Sequence, residues 1–299
     1  MRIPVSPLVV LGLGTFLIAS SATLQAQPGG QGPASSLEVA YAHSAAADAE
    51  WAGRTSGDLS VDALTFDLRT RRSVNPGLFG SLGLGYERYS VDAPSQVPVP
   101  ETLQALKFEV GGTFLLNREW SLTAGLSPGF YSAGSSLDSD GFNVPAILIA
   151  TWRSSPTFSL SGGLRYDAFS DNEVIPFLGF RWQASPEVSV SLGAPRTEVA
   201  YTYSESTELF FGASFQGGSF HVDDPSLVPP AGYPSLRDTK VDYREIRAGG
   251  GVRWSVSPAV SLDVEAGWMF DRRFDYFERS LEVKTDGAFY ARIGVSARF

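Results

Sequence analysis

The chain has 299 residues, of which 43% are hydrophobic and 18% charged, with no cysteine and a formal net charge of −9. The missing cysteine excludes a disulfide framework, a thiolate metal site and a cysteine nucleophile. The acidic balance argues against nucleic acid or another polyanion as a partner.

From the N-terminus, residues 1–26 read as a secretory signal peptide: Arg2, an apolar stretch from Leu8 to Ile18, then Ala22-Thr-Leu-Gln-Ala26 with small residues for cleavage. Its removal takes away one Arg and no acid, leaving a charge of −10. Residues 27–35, rich in Gly, Pro and Gln, form a flexible linker, and 36–299 reads as a single sheet domain. No run of about 18 apolar residues follows the leader, so no transmembrane helix is expected.

Alternation of apolar and polar residues then marks candidate strands at 36–44, 57–71, 77–91, 104–116, 119–133, 141–154, 157–170, 173–184, 187–194, 197–204, 207–221, 239–255, 258–272 and 287–299. Trp152, Trp182 and Trp254 each stand four residues before a proline in a short polar turn, and Trp120 heads a weaker copy of that junction. Tryptophan repeated beside short turns is what an aromatic belt at a membrane–water boundary requires. The expected fold is therefore all-β: an antiparallel, up-and-down transmembrane β-barrel of about 14 strands. The rival is a soluble β-sandwich with inward tryptophans.

Parity supports the strand count. If short turns lie on one side, 45–56, 92–103, 222–238 and 273–286 are long loops on the other. That scheme requires a break at Ala194-Pro195-Arg196, which leaves two short strands; twelve long strands plus a defective pair is the alternative. At the C-terminus, Phe289, Ala291, Ile293, Val295, Ala297 and Phe299 share one face. A terminal aromatic on such a strand looks like the signal read by the outer-membrane barrel-assembly machinery, and an exposed apolar edge would be a liability in a soluble sheet. Outer-membrane lipids and that machinery are the expected partners, in a bacterial outer membrane.

With the apolar set facing lipid, the opposite set faces inward and carries both signs of charge: Asp67, Arg69, Lys107, Glu109, Arg165, Asp167, Arg181, Glu245, Arg247, Arg253, Asp263, Glu265 and Arg292. A lipid-facing Arg costs about 2–4 kcal/mol, so these groups belong in a lumen. They either line a hydrated passage for small solutes or form a network that fills the interior and fixes register.

Enzymatic chemistry has little to work with. His43 and His221 are the only histidines, and no Asn or acid stands beside His43 in the sequence pattern of lipid-modifying barrel hydrolases. Asp138-Ser-Asp140-Gly resembles the opening of a calcium loop without its distal Glu, and an Asp/Gly turn explains it equally. No catalytic, metal or cofactor site is expected. The proline-rich 223–234 is read as an inward plug or an outward lid, and Gly249-Gly-Gly251 as space for a bulky neighbour.

The blocks Leu192–Tyr201, Tyr243–Trp254 and Glu265–Tyr276 resemble a family of bacterial outer-membrane β-barrels known only as a domain of unknown function. The resemblance implies location and fold, and supplies no substrate or catalytic residue. A looser similarity to outer-membrane channels for hydrophobic substrates concerns strand number alone.

Overall fold

The computed structural model describes residues 34–224, 227, 229 and 232–299, so the expected signal peptide and most of the linker lie outside the described residues. Alternating side chains produce a single sheet that closes on itself, with strands β1 (Ala34–Trp51), β2 (Arg54–Asn75), β3 (Leu78–Asp92), β4 (Thr102–Leu115), β5 (Trp120–Leu126), β6 (Gly129–Ala133), β7 (Phe142–Asn143), β8 (Ala146–Ser155), β9 (Phe158–Tyr166), β10 (Val174–Gln183), β11 (Val188–Leu192), β12 (Arg196–Ser204), β13 (Thr207–Val222), β14 (Thr239–Ser255), β15 (Val260–Tyr276), β16 (Leu281–Thr285) and β17 (Ala288–Arg298). Three staves are each split in two: β5/β6 at Ser127-Pro128, β7/β8 at Val144-Pro145, and β16/β17 at Asp286-Gly287. The result is the 14-stranded antiparallel barrel that the alternation predicts.

Proline explains two of the splits, because it cannot donate to a ladder. The facing segments are relayed by Ser127 N–H to the Pro145 carbonyl at 2.8 Å and Phe108 N–H to the Pro128 carbonyl at 2.9 Å. Closure joins the two chain ends: Ser35 and Phe299 exchange backbone hydrogen bonds of 2.9 and 3.0 Å, and β1 pairs with both β17 and β2. The sheet begins at Ala34, two residues inside the expected linker.

The barrel is taller than expected at its long-loop end. Segment 45–56 is not a loop but the tip of the β1–β2 hairpin, turning at Ala52-Gly53, and most of 273–286 is paired in β15 and β16. Alanine-rich and charged residues obscure the alternation there. Segment 92–103 is corrected too: it bends inward, burying Val97, Pro98, Val99 and Pro100, and Tyr276 Oη donates to the Pro98 carbonyl at 2.9 Å. This loop plugs the barrel; of the proline-rich 223–234, residues 225, 226, 228, 230 and 231 lie outside the described residues, while Leu227 and Tyr233 pack at the margin of the same core, which also holds a fully buried Leu236.

That core divides the barrel. Its apolar residues come from β1, β2, β3, β4, β6, β13, β14, β15 and β16, and none comes from β7 to β12. The ring is completed by a short parallel pairing in which His221 and Val222 of β13 meet Ser132 and Ala133 of β6. A nine-membered collar therefore surmounts a 14-membered lower barrel. Since eight strands enclose about enough room for their own side chains, a nine-strand collar that also holds a loop is filled solid. Tyr89, Phe220, Tyr243 and Phe274 fill its centre, with Tyr89 and Tyr243 edge-to-face at 5.0 Å.

The short β11–β12 pair leaves a second irregularity. β10 pairs with β11 only up to Phe180↔Leu192, and β12 pairs with β13 only up to Arg196↔Ser214. The chain turns between them at Gly193-Ala194-Pro195, where Gly193 (φ 142°) nests against Gly179. Above that turn, residues 174–179 of β10 and 216–220 of β13 have no ladder partner across the gap among the described residues. Pro176, without an N–H, sits on this free edge, the place in a sheet where proline is tolerated.

The glycine run of β14 makes the predicted space. A Cβ at Gly249 would lie 2.5 Å from Tyr290 Oη, and one at Gly251 would lie 2.5 Å from Phe210 Cζ. Gly251→Val is expected to destabilise the barrel by about 1–3 kcal/mol through overpacking, read as a lower temperature for the folded-to-unfolded shift in gel migration.

Candidate functional site: the barrel interior

Beneath the collar the inward positions are ionised and paired. Glu245 and Arg272 are fully buried, and Arg247 is 2% exposed. Arg272 Nε donates to Glu245 Oε1 at 2.7 Å, Arg247 Nε to Oε2 at 2.6 Å and Tyr243 Oη to Oε1 at 2.6 Å. Arg272 also donates to the Leu59 carbonyl at 3.0 Å and Arg247 to Ser44 Oγ at 3.2 Å, tying β14 and β15 to β1 and β2 across the interior. Two guanidinium groups on one carboxylate, all charge-assisted, are the arrangement that makes such burial tolerable.

Elsewhere in the interior the pairs range from buried to half-buried. Arg196 spans Glu198 at 2.7 Å and Glu265 at 2.9 Å, and Tyr290 Oη donates to Glu265 at 2.5 Å. Arg292 bridges Glu38 at 3.1 Å and Asp263. Arg253 bridges Glu208 and, at 3.5 Å, Glu198. Arg69 joins Asp67 and Glu109, each at 2.8 Å, and Lys107 engages Glu87. Arg165 meets Asp167 at 2.5 Å, whose carboxylate also accepts from Asn143 Nδ2 at 2.7 Å. Of the thirteen charges named from the sequence, only Arg181 has no side-chain partner among the described residues.

One member of the network escapes period-two reading. Arg272 does so because a bulge shifts register between Ile246/Arg247 and Met269/Asp271, reversing which faces the later residues of β15 occupy. Strict alternation from Trp268 and Phe270 would send Arg272 outward. Glu38, Glu87, Arg196, Glu198 and Glu208 follow the ordinary parity of their strands and were legible in principle.

The wall from β5 to β11 has a different lining. It carries hydroxyls, with Thr123 to Thr113 of the adjoining β4 at 3.0 Å and Thr151 to Ser161 at 2.9 Å. Inside the barrel, a cavity is lined by Glu87, Lys107, Tyr131, Arg165 and Asp167 and is bounded on one side by the unladdered Gly217–Phe220 edge of β13.

Outside, the surface is apolar: Leu148 is 45% exposed, and Phe108, Leu178, Phe211 and Phe270 are similarly uncovered. Trp120, Trp152, Trp182 and Trp254 all lie on this outer surface beside short turns, Trp120 and Trp152 stacked with centroids 6.4 Å apart. Phe299 is also exposed, at the end of the last strand.

The sequence reading leaves His43 without an acidic neighbour, and this is corrected by strand pairing. His43 Nδ1 lies 2.9 Å from Asp62 Oδ1, and Tyr41 donates to the same oxygen at 2.5 Å. On its other side His43 pairs with Ala291. His221 lies 3.9 Å from Asp138. Asp138 accepts from the Gly141 N–H at 2.7 Å, which is a turn-stabilising role.

An apolar exterior, an ion-paired interior and fourteen antiparallel staves define a transmembrane up-and-down β-barrel. The chain belongs to the family described as Domain of unknown function (DUF6268), whose model matches residues 64–298. Among solved structures, it is similar to a deltaS2 mutant of the TodX monoaromatic hydrocarbon channel, at 12% identity and a TM-score of 0.55, with 90% of this chain and 91% of that one covered. It is also similar to a Pseudomonas aeruginosa FadL homologue, at 11% identity and a TM-score of 0.46 with 89% and 90% covered. A third is an outer membrane channel from Pseudomonas putida F1, at 13% identity and a TM-score of 0.45 with 99% and 100% covered. No curated protein matches the chain.

Proposed function

We propose that this protein is a non-enzymatic outer-membrane barrel that admits small solutes to a cup open at its short-turn, periplasmic end. The route runs through the break between β10 and β13 rather than along the axis. The observation that carries this reading is the pairing of a collar filled by apolar side chains with an unladdered stretch of wall beside a cavity. Export by residues 1–26, insertion aided by the Phe299 strand, and seating in lipid through the outer tryptophans are parts of the same reading. It is supported by the uncovered apolar exterior and by the fold shared with a hydrocarbon channel. A solute entering from lipid would be small and apolar or amphiphilic. The saturated ion pairing favours a second reading, a structural barrel without transport.

A cysteine-free chain makes the test clean. Pro176→Cys with Phe215→Cys, bridged by a cleavable bifunctional reagent, is expected to stop uptake of a small aromatic solute into proteoliposomes and to restore it on cleavage. Uptake that ignores the bridge would refute the wall route; absence of uptake in the unmodified protein would favour the structural barrel.

A further inference from the structure

The inner wall at the short-turn end carries an uncompensated pair of cations. In register across four strands stand Arg153 of β8, Ser159 of β9, Arg181 of β10 and Ser191 of β11. The alternation that turns Trp152 and Trp182 outward turns Arg153 and Arg181 inward. They are two strands apart, or roughly 10 Å at ordinary strand spacing. Neither has a hydrogen bond, ion pair or ring contact from its side chain among the described residues.

This is unlike the rest of the interior. Among the described residues the remaining wall satisfies its cations with carboxylates or, for Arg71, with the Phe79 ring 4.4 Å away, and Arg298 stands singly at the rim of β17. The nearest carboxylate in the row, Glu198, is one strand beyond Ser191 and is already held by Arg196 at 2.7 Å and Arg253 at 3.5 Å. Glu187, in the adjoining turn, accepts from Ser185 at 2.9 Å, and Glu119 accepts from the Trp152 indole at 3.4 Å. Arg153 and Arg181 therefore present guanidinium groups that none of these carboxylates pairs, although the chain carries a net charge of −9, and a concave wall concentrates the field of such groups.

We propose that Arg153 and Arg181 form a clamp for a small tetrahedral oxyanion, a phosphoryl group above all, with Ser159 between them and Ser191 alongside as hydroxyl donors. Guanidinium forks match the oxygens of a phosphoryl group in geometry as well as charge, which ammonium groups do not. The position at the mouth of the cup gives access from the short-turn side. The acidic remainder of the chain keeps out long polyanions while leaving room for a monoester or free phosphate. This site is independent of the wall route, and neither proposal needs the other.

The test is titration of the purified, refolded barrel in an uncharged detergent with inorganic phosphate, followed by phosphorus NMR line broadening. The expected result is saturable binding, weakened about tenfold or more by Arg153→Gln or by Arg181→Gln, abolished in the double variant, and unchanged in Arg298→Gln. Because neither arginine has a partner to lose, both variants should retain heat-modifiable gel migration. Competition by phosphatidylglycerol doped into the micelles would identify a lipid headgroup as the source, and its failure a soluble ester. Absence of saturable binding, survival of binding in the double variant, or equal loss in Arg298→Gln would overturn the proposal.

Discussion

Glu245→Ala is expected to destabilise the barrel by about 3–5 kcal/mol, the largest effect of any single luminal substitution, because it strands two buried guanidinium groups without their counter-ion. Arg247 and Arg272 both direct their Nε at this carboxylate, and water does not reach either to replace it. The loss should appear as a lower urea midpoint for the detergent-solubilised protein. Replacing all three ions together, as Glu245→Met with Arg247→Met and Arg272→Leu, is expected to recover most of the stability, since apolar groups of similar volume often substitute for a buried ionic cluster at little net change. If Glu245→Ala instead left the midpoint unaltered, the carboxylate would not be holding the two arginines in place.

The second large effect concerns conduction along the axis. Planar-bilayer recordings of the unmodified protein are expected to show no steady current steps, because the collar is filled by Tyr89, Phe220, Tyr243 and Phe274. Excising 95–99 should leave the current at zero, because those four side chains still occupy a nine-stave ring whose bore is scarcely wider than they are. Changing Tyr89, Tyr243 and Phe274 together to Ser is expected to open ohmic conductance. Steps in the unmodified protein would show that the collar is not the seal; steps after the excision alone would assign that role to the inserted loop.

How far the molecule could be read from its sequence depended on whether period two persisted. Within the apolar band it did: Leu106/Phe108/Val110 and Val260/Leu262/Val264 face out, and the stave number follows from parity once Pro195 is taken as a break. Beyond the band, outward residues such as Asp48, Glu50, Glu282 and Lys284 are polar on a surface where the inward ones include Ala47, Ala49, Leu281 and Val283, so 45–56 and 273–286 read as loops. The β15 bulge concealed Arg272 by adding one residue to the count. The inserted loop was illegible for another reason: Val97-Pro-Val-Pro100 is short, and nothing local says which way a proline-rich turn will fold. Nor can alternation disclose that β6 meets β13, since parallel contact between distant strands leaves no periodic trace.

That contact bears on how the polypeptide assembles. Residues 133 and 222 are neighbours in the collar, so everything from β7 to β12 is, topologically, one long excursion from a smaller ring. Entropy of loop closure rises only logarithmically with length, and an excursion of this size is tolerated at modest expense. The smaller ring nonetheless needs β13 before it can shut, and the outer seam needs β17 to reach β1. Once the collar has shut, panel β7–β12 is a tethered excursion whose two ends are already fixed side by side.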